Sequence, residues 1–249
     1  MRNNALQRFP VRLSTLALWV AGCAVGFAFY ARLTPRLQPQ FRILGMVYNL
    51  VMALAMGTTL AGLAALQRRK VQGDLLAFTA PGHWLLVLGG AAVFIDVLFA
   101  MVLPSPDLNR GSEAYWLIFS AAHAPFLDAL THQAATWGLG MVAAAVVLHL
   151  AWGWLSWPWR GLFASFSLGA AIFPITATTA LSGGSPAQIA WCHRLPHSYA
   201  ALILAWLILL LLTAALNHRR QPGDMLHWLG VAVCVVVAAM QLATYIAFF

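Results

Sequence analysis

The sequence predicts an all-α integral membrane protein: a bundle of about seven transmembrane helices, with one short interfacial or re-entrant helix between the third and fourth. Three observations predict it. Hydrophobic residues make up 62% of the chain and charged ones 8%, with a mean hydropathy of +0.80, whereas soluble domains are near half apolar and about one-quarter charged. The apolar residues fall in successive blocks of about twenty, the length a helix needs to span the hydrocarbon core. The blocks also lack a polar face: L-I-L-A-W-L-I-L-L-L-L-T-A-A-L at 202–216 is apolar all round, as expected for a helix solvated by lipid or by other buried helices.

The first span is expected at 14–31. Arg2, Arg8 and Arg12 followed by L-S-T-L-A-L-W-V-A-G-C have the layout of a secretion signal with a lipidatable cysteine. Cys23 is followed by A-V-G-F-A-F-Y-A, however, which completes a spanning helix instead of the polar stretch that follows a cleaved leader. Gly22 and Gly26 form a small-x-x-x-small surface suited to close helix packing. The second span, 43–66, holds Met46, Met52 and Met56, and Met101 follows in the third; their spacing fits core filling or lipid contact better than copper handling.

The third span, 83–103, carries Asp96 in F-I-D-V-L-F. After it, the segment 113–131 is too polar to cross comfortably and too apolar for a free loop, so it reads as the interfacial or re-entrant helix, with Tyr115 and Trp116 at headgroup level and Pro125 as its break. The fourth span, 132–156, carries His149. The fifth, 161–182, contains Pro174, which frees a carbonyl that Thr176, Thr178 and Thr179 can re-satisfy. The sixth, 198–216, follows W-C-H-R-L-P-H; because the residue before a proline is pushed out of the helical region, its helix is expected to start at Pro196. The seventh is 226–247. With no internal repeat and connectors under about twenty residues, residues 1–249 form a single polytopic domain.

Net charge is +8 with a pI near 10.3. The cations sit in short connectors between apolar blocks, which points to membrane topology and away from nucleic acid. The N-terminus (Arg2, Arg8, Arg12) and the second, fourth and sixth loops (Arg68, Arg69, Lys70, Arg160, Arg219, Arg220) hold nine of them, against five in the other loops (Arg32, Arg36, Arg42, Arg110, Arg194). Cytoplasmic loops retain the excess. The expected location is a bacterial-type cytoplasmic membrane with the N-terminus cytoplasmic and the C-terminus outside, Arg32, Arg36 and Arg42 opposing that orientation.

Ionisable groups inside a span cost about 2.5–3.5 kcal/mol on insertion scales, so Asp96 and His149 each call for a partner or a purpose. Their spans run antiparallel and put them at different depths, which disfavours a direct ion pair. Asn49, Thr58, Thr59, Thr176, Thr178, Thr179 and Ser182 are candidate hydrogen-bond partners for Asp96, whose other reading is a proton- or ion-carrying carboxylate. On the expected outer face, His123, Asp128 and His132 of the interfacial helix join Cys192, His193 and His197 of the fifth loop. Imidazole with carboxylate suits zinc, copper or iron, and Asp128 with His132 is spaced to share a helix face. Headgroup anchoring explains the same residues without a metal.

Stacked membrane haems are disfavoured because His149 is the one deep histidine, His83, His218 and His227 lying near the expected inner surface. The sole lysine, Lys70, lies in a loop, so no retinal-type Schiff base is available, and Cys23, Cys192 and Cys234 form no C-x-x-C or disulfide framework. There is no G-x-S-x-G, H-E-x-x-H or phosphate loop, and no catalytic residue is assigned. The expected function is a helical subunit or packing partner in a membrane assembly, with the bilayer and other membrane subunits as partners. The alternatives are a metal-binding redox protein using a transition metal at the outer His/Asp site, and a small-solute or ion carrier using Asp96.

Overall fold

A computed structural model of the chain describes residues 12–31, 42–102, 139–140, 142–168, 186–220 and 224–248, with side chains at all of these positions except 30–31, 93–94, 96–102, 186–199, 218–220, 244–245 and 247–248. Seven helices and no strand occur among the described residues. They are α1 (Leu13–Ala31), α2 (Arg42–Val71), α3 (Pro81–Val102), α4 (Val142–Ala151), α5 (157–168), α6 (Pro186–Arg220) and α7 (Met225–Phe248).

Three stretches are long and apolar enough to cross a membrane: Arg42–Val71, Ala200–Asn217 and Met225–Ala243. Leu13–Phe29 and Val142–Ala151 are shorter apolar helices. This pattern marks a membrane-associated helical protein.

Local chemistry sets several helix ends. Gly73 (φ 80°) takes the left-handed conformation just past α2, its N–H donating to the Lys70 carbonyl (3.0 Å) while Asp74 N–H donates to the Arg69 carbonyl (3.0 Å); this caps the orphan carbonyls of the last turn. Pro81 and Pro186 occupy the first positions of α3 and α6, where a missing N–H costs nothing. Asp224 caps α7, its Oδ1 accepting from His227 N–H at 2.9 Å.

α6 departs from the sequence expectation. Its membrane-length part, Ala200–Asn217, lies close to the expected 198–216, but the helix begins at Pro186, so Pro196 sits inside it and not at its start. The physical reason is that a proline forbids only its own N–H bond and crowds one carbonyl a turn earlier, which a long helix tolerates. Between α4 and α5 the chain leaves the helix at 152–156.

α1 packs along α2, which also meets α3 and α7; α7 in turn contacts α3 and α6. The α1–α2 contact is built on small residues. A Cβ on Gly22 would lie 2.9 Å from Gly57 Cα, and one on Gly26 3.0 Å from Ala53 Cα, so the predicted small-x-x-x-small surface brings the two backbones together. Trp19 Nε1 donates to Thr58 Oγ1 across the same interface (3.1 Å). The main core joins α3 to α7 around Leu85, Leu88, Val147, Leu155, Trp159, Phe163, Leu210 and Val231.

Candidate functional site

Arg69, Asp74, His83 and Asp224 gather where the C-terminus of α2, the α2–α3 turn and the N-termini of α3 and α7 meet. Arg69, in the last turn of α2, donates from Nε to Asp74 Oδ2 (2.7 Å) and from Nη1 to Asp224 Oδ2. His83, in the first turn of α3 and 1% exposed, lies with Nε2 2.9 Å from Asp224 Oδ1. An ionised carboxylate only accepts, so His83 Nε2 carries the proton. Asp224 thus receives Arg69, His83 and the His227 backbone N–H, joining residues up to 155 positions apart.

Each partner has a local reason to be there. Gly73 reverses the chain so that Asp74 returns beneath Arg69, and Asp74 Oδ1 also accepts from Leu76 N–H (2.9 Å) in an Asx-type turn. Phe78, at φ 64°, holds a conformation that is costly for a bulky residue. Its ring is held between Trp84 (centroids 5.8 Å apart) and the Lys70 ammonium (5.8 Å). Pro81 then starts α3 and aims His83 inward.

Backbone contact between α3 and α7 completes the knot. A Cβ on Gly82 would fall inside the van der Waals shell of the His227 carbonyl, and one on Gly230 would strike the Gly82 carbonyl. Gly82 N–H, an orphan donor of the first turn of α3, donates to His227 Nδ1 at 2.8 Å. That acceptor role leaves Nδ1 unprotonated and fixes the tautomer of His227. Trp159 of α5 and Trp228 meet the same ring edge-on, at 5.8 and 5.0 Å.

Electrostatics follow the geometry. Burial by itself pushes the Asp224 carboxyl up, but the hydrogen bonds from His83, Arg69 and the His227 amide outweigh it and hold the group well below the ordinary carboxylate range. Asp74 is lowered as well, by Arg69 first and then by the Leu76 amide. The site is a charge-satisfied clamp that contains a His–Asp pair able to hold a proton. His83 Nδ1 is buried and has no hydrogen-bond partner among the described residues. No Ser, Cys or Lys nucleophile is bonded to the pair there, and no described group of three or more His, Cys, Asp or Glu is placed to hold a metal.

The sequence-predicted residues lie elsewhere. His149 is exposed on α4, beside a shallow apolar groove lined by Val142, Val146, Leu150 and Leu168 with Ser167. Asp96 belongs to α3 but its side chain is outside the described set; of its suggested partners, Thr58 bonds Trp19, while Asn49 and Thr59 are buried in α2. His193 and His197 are one turn apart along α6, again without described side chains. His123, Asp128 and His132, the whole segment 113–131, and Pro174 with its threonines lie outside the described residues.

Sequence reasoning missed the clamp. It placed His83 and His227 near one membrane surface without pairing them, and gave Asp74 and Asp224 no role. The available signal was scarcity: of six acidic residues, these two lie in the two cation-bearing connectors beside α2 and α7.

The fold and this end site define a membrane-associated helical bundle with a partly exposed ion-pair clamp anchored on the buried His83. No known protein family, curated protein or solved structure matches the chain.

Proposed function

We propose that the protein is a seven-span integral membrane protein that serves as a helical subunit or packing partner in a membrane assembly. The observation that carries this reading is the outer surface of α6. Within Ala200–Asn217, Ile203, Leu210 and Ala214 pack inward, while Leu202, Leu204, Ile208, Leu209, Leu211, Leu212 and Leu216 are exposed around the rest of the helix. α6 packs on α7, and Trp206, Leu210 and Ala214 also join the core with α4 and α5; the exposed leucines and Ile208 are left to lipid or to a partner helix. The described acidic groups, by contrast, are spent on internal pairing, an arrangement that suits a scaffold better than a catalyst.

The test is a photo-activatable residue at Ile208 and at Leu212 in native membranes. A discrete protein adduct at either position supports a subunit role. Lipid adducts alone at both positions would refute it.

The proposed orientation keeps the N-terminus cytoplasmic in a bacterial-type membrane, supported by the nine-to-five distribution of Lys and Arg. Thr15 in the first turn of α1 accepts from Arg68 Nη1 (2.8 Å), Arg69 pairs with Asp224, and Trp159 meets His227. Arg12, Arg68, Arg69, Lys70 and Arg160 therefore share one end of the bundle. A C-terminal tag accessible to protease only from the outer side is the expected result; protection there reverses the orientation.

A further inference from the structure

We propose that the turn joining α4 to α5 binds the phosphate of an anionic phospholipid headgroup through Arg160. The proposal rests on the chain lying in a bilayer and is independent of partner subunits. The stretch W-G-W-L-S-W-P-W-R spans 152–160. Ala151, Leu155 and Trp159 are almost fully buried in the main core and seat the turn from beneath. Above them, Trp152, Trp154 and Trp157 are 45%, 60% and 75% exposed. Three exposed indoles on one rigid turn are out of place in water and suited to the headgroup level of a membrane, where an apolar ring with one polar N–H is favoured.

Arg160 is built into this turn. Its Cζ lies 4.6 Å from the Trp152 ring centroid and 5.1 Å from that of Trp157, and the two rings meet edge to face at 6.3 Å. Nε donates to the Leu155 carbonyl (2.8 Å), which fixes the guanidinium plane. The bracket leaves both Nη groups without a protein acceptor among the described residues. A guanidinium fixed in this way presents a ready fork for two phosphate oxygens, with less side-chain freedom to lose than a free arginine.

Charge complementarity selects the occupant. At this end Arg69 engages both Asp74 and Asp224. Arg12, Arg68, Lys70 and Arg160 make no ion pair with a carboxylate among the described residues. A surface with this excess attracts anionic lipid over zwitterionic lipid, and the tryptophans place the phosphate at the depth of a headgroup.

The experiment is native mass spectrometry of the full-length protein released from detergent. It is titrated with phosphatidylglycerol, or with phosphatidylcholine of the same acyl chains, and the first lipid adduct is read. The wild type is expected to retain phosphatidylglycerol in preference. Arg160→Gln is expected to weaken that first adduct about tenfold, as loss of a charge-assisted hydrogen bond does, with phosphatidylcholine adducts unchanged. Trp157→Leu removes one wall of the bracket at a mostly exposed position and is expected to weaken it to a smaller extent, which keeps the test decisive if Arg160→Gln does not fold. Equal retention of the two lipids by the wild type would overturn the proposal, as would unchanged phosphatidylglycerol binding in the folded variants. Displacement of the adduct by millimolar inorganic phosphate would assign the site to the free anion and also overturn it.

Discussion

Two helix pairs in this protein touch backbone to backbone through glycine, and they are specified in different ways. At the α1–α2 crossing, Gly22, Gly26, Ala53 and Gly57 remove side-chain bulk, and the side-chain hydrogen bonds Trp19–Thr58 and, at the end of the pair, Arg68–Thr15 run alongside the contact without touching the glycines. At the α3–α7 crossing, Gly82 and Gly230 do the same, but the approach also joins Gly82 N–H to His227 Nδ1 and sits beside the Arg69–Asp224–His83 network. The glycine approach in the first contact relies on shape, which lipid does not compete for. The second adds direction, because donors and acceptors must meet at one register. Small residues let helices approach; buried polar groups decide where the approach stops.

The largest expected effect breaks the second pair. In Gly82→Ala the new methyl meets the carbonyl of His227, so α3 and α7 must separate, and the Gly82–His227 bond goes with them. A loss of about 3 kcal/mol or more is expected, read from thermal unfolding in detergent; unfolding at the wild-type temperature would contradict the close approach. Gly57→Ala comes next, at roughly 1–3 kcal/mol, because its methyl meets the Cys23 sulfur and the Trp19 carbonyl. Here the comparison sharpens: adding Cys23→Ala removes one obstacle and should restore part of the loss. No side-chain truncation should rescue Gly82→Ala, since its obstacle is backbone.

Asp224→Asn keeps the α7 cap while weakening the pairing with Arg69 and His83. An effect of about 2 kcal/mol is expected for a carboxylate that is still partly exposed. The same group sets a pH dependence. Its folded pKa lies below the unfolded value of about 3.9, so its stabilisation is complete above that value and disappears as pH falls through the folded pKa. Asp74 acts with the same sign. Unfolding temperature should therefore hold steady above about pH 5 and fall below about pH 4, and the fall should flatten in Asp224→Asn. A wild-type curve that stays level into strong acid would argue against the paired carboxylates. The smallest effect belongs to Thr58→Val, near 0.6 kcal/mol for one interhelical bond in a membrane. A double-mutant cycle with Trp19→Phe checks that the two residues are coupled.

Sequence periodicity and composition located most helices because the signals are local. α1, α3 and α7 lie within about two residues of their expected bounds, and α2 runs one turn further at its C-terminus. Gly22 and Gly26 were also readable, since the small-residue spacing that builds the α1–α2 contact lies within one helix. The start of α6 was misread because a proline was given its usual role as a helix starter. The clamp was not readable for a different reason: Arg69, His83 and Asp224 come from three separate segments, and each alone looks like an ordinary interfacial residue. Only the packing of α3 on α7 through Gly82 and Gly230 brings them together.

The distance along the chain between Gly82 and His227 has a consequence for the order of assembly. Synthesis runs from the N-terminus, so α2 and α3 are complete long before α7 appears. Until α7 docks, Arg69 and His83 have no Asp224, and the Gly82 amide has no His227 ring to receive it. The arrival of residues 224–230 closes all of these bonds together. α7 is thus the latch of the bundle, and a nascent chain halted before it carries an open, cationic helix end that distinguishes it from the finished protein.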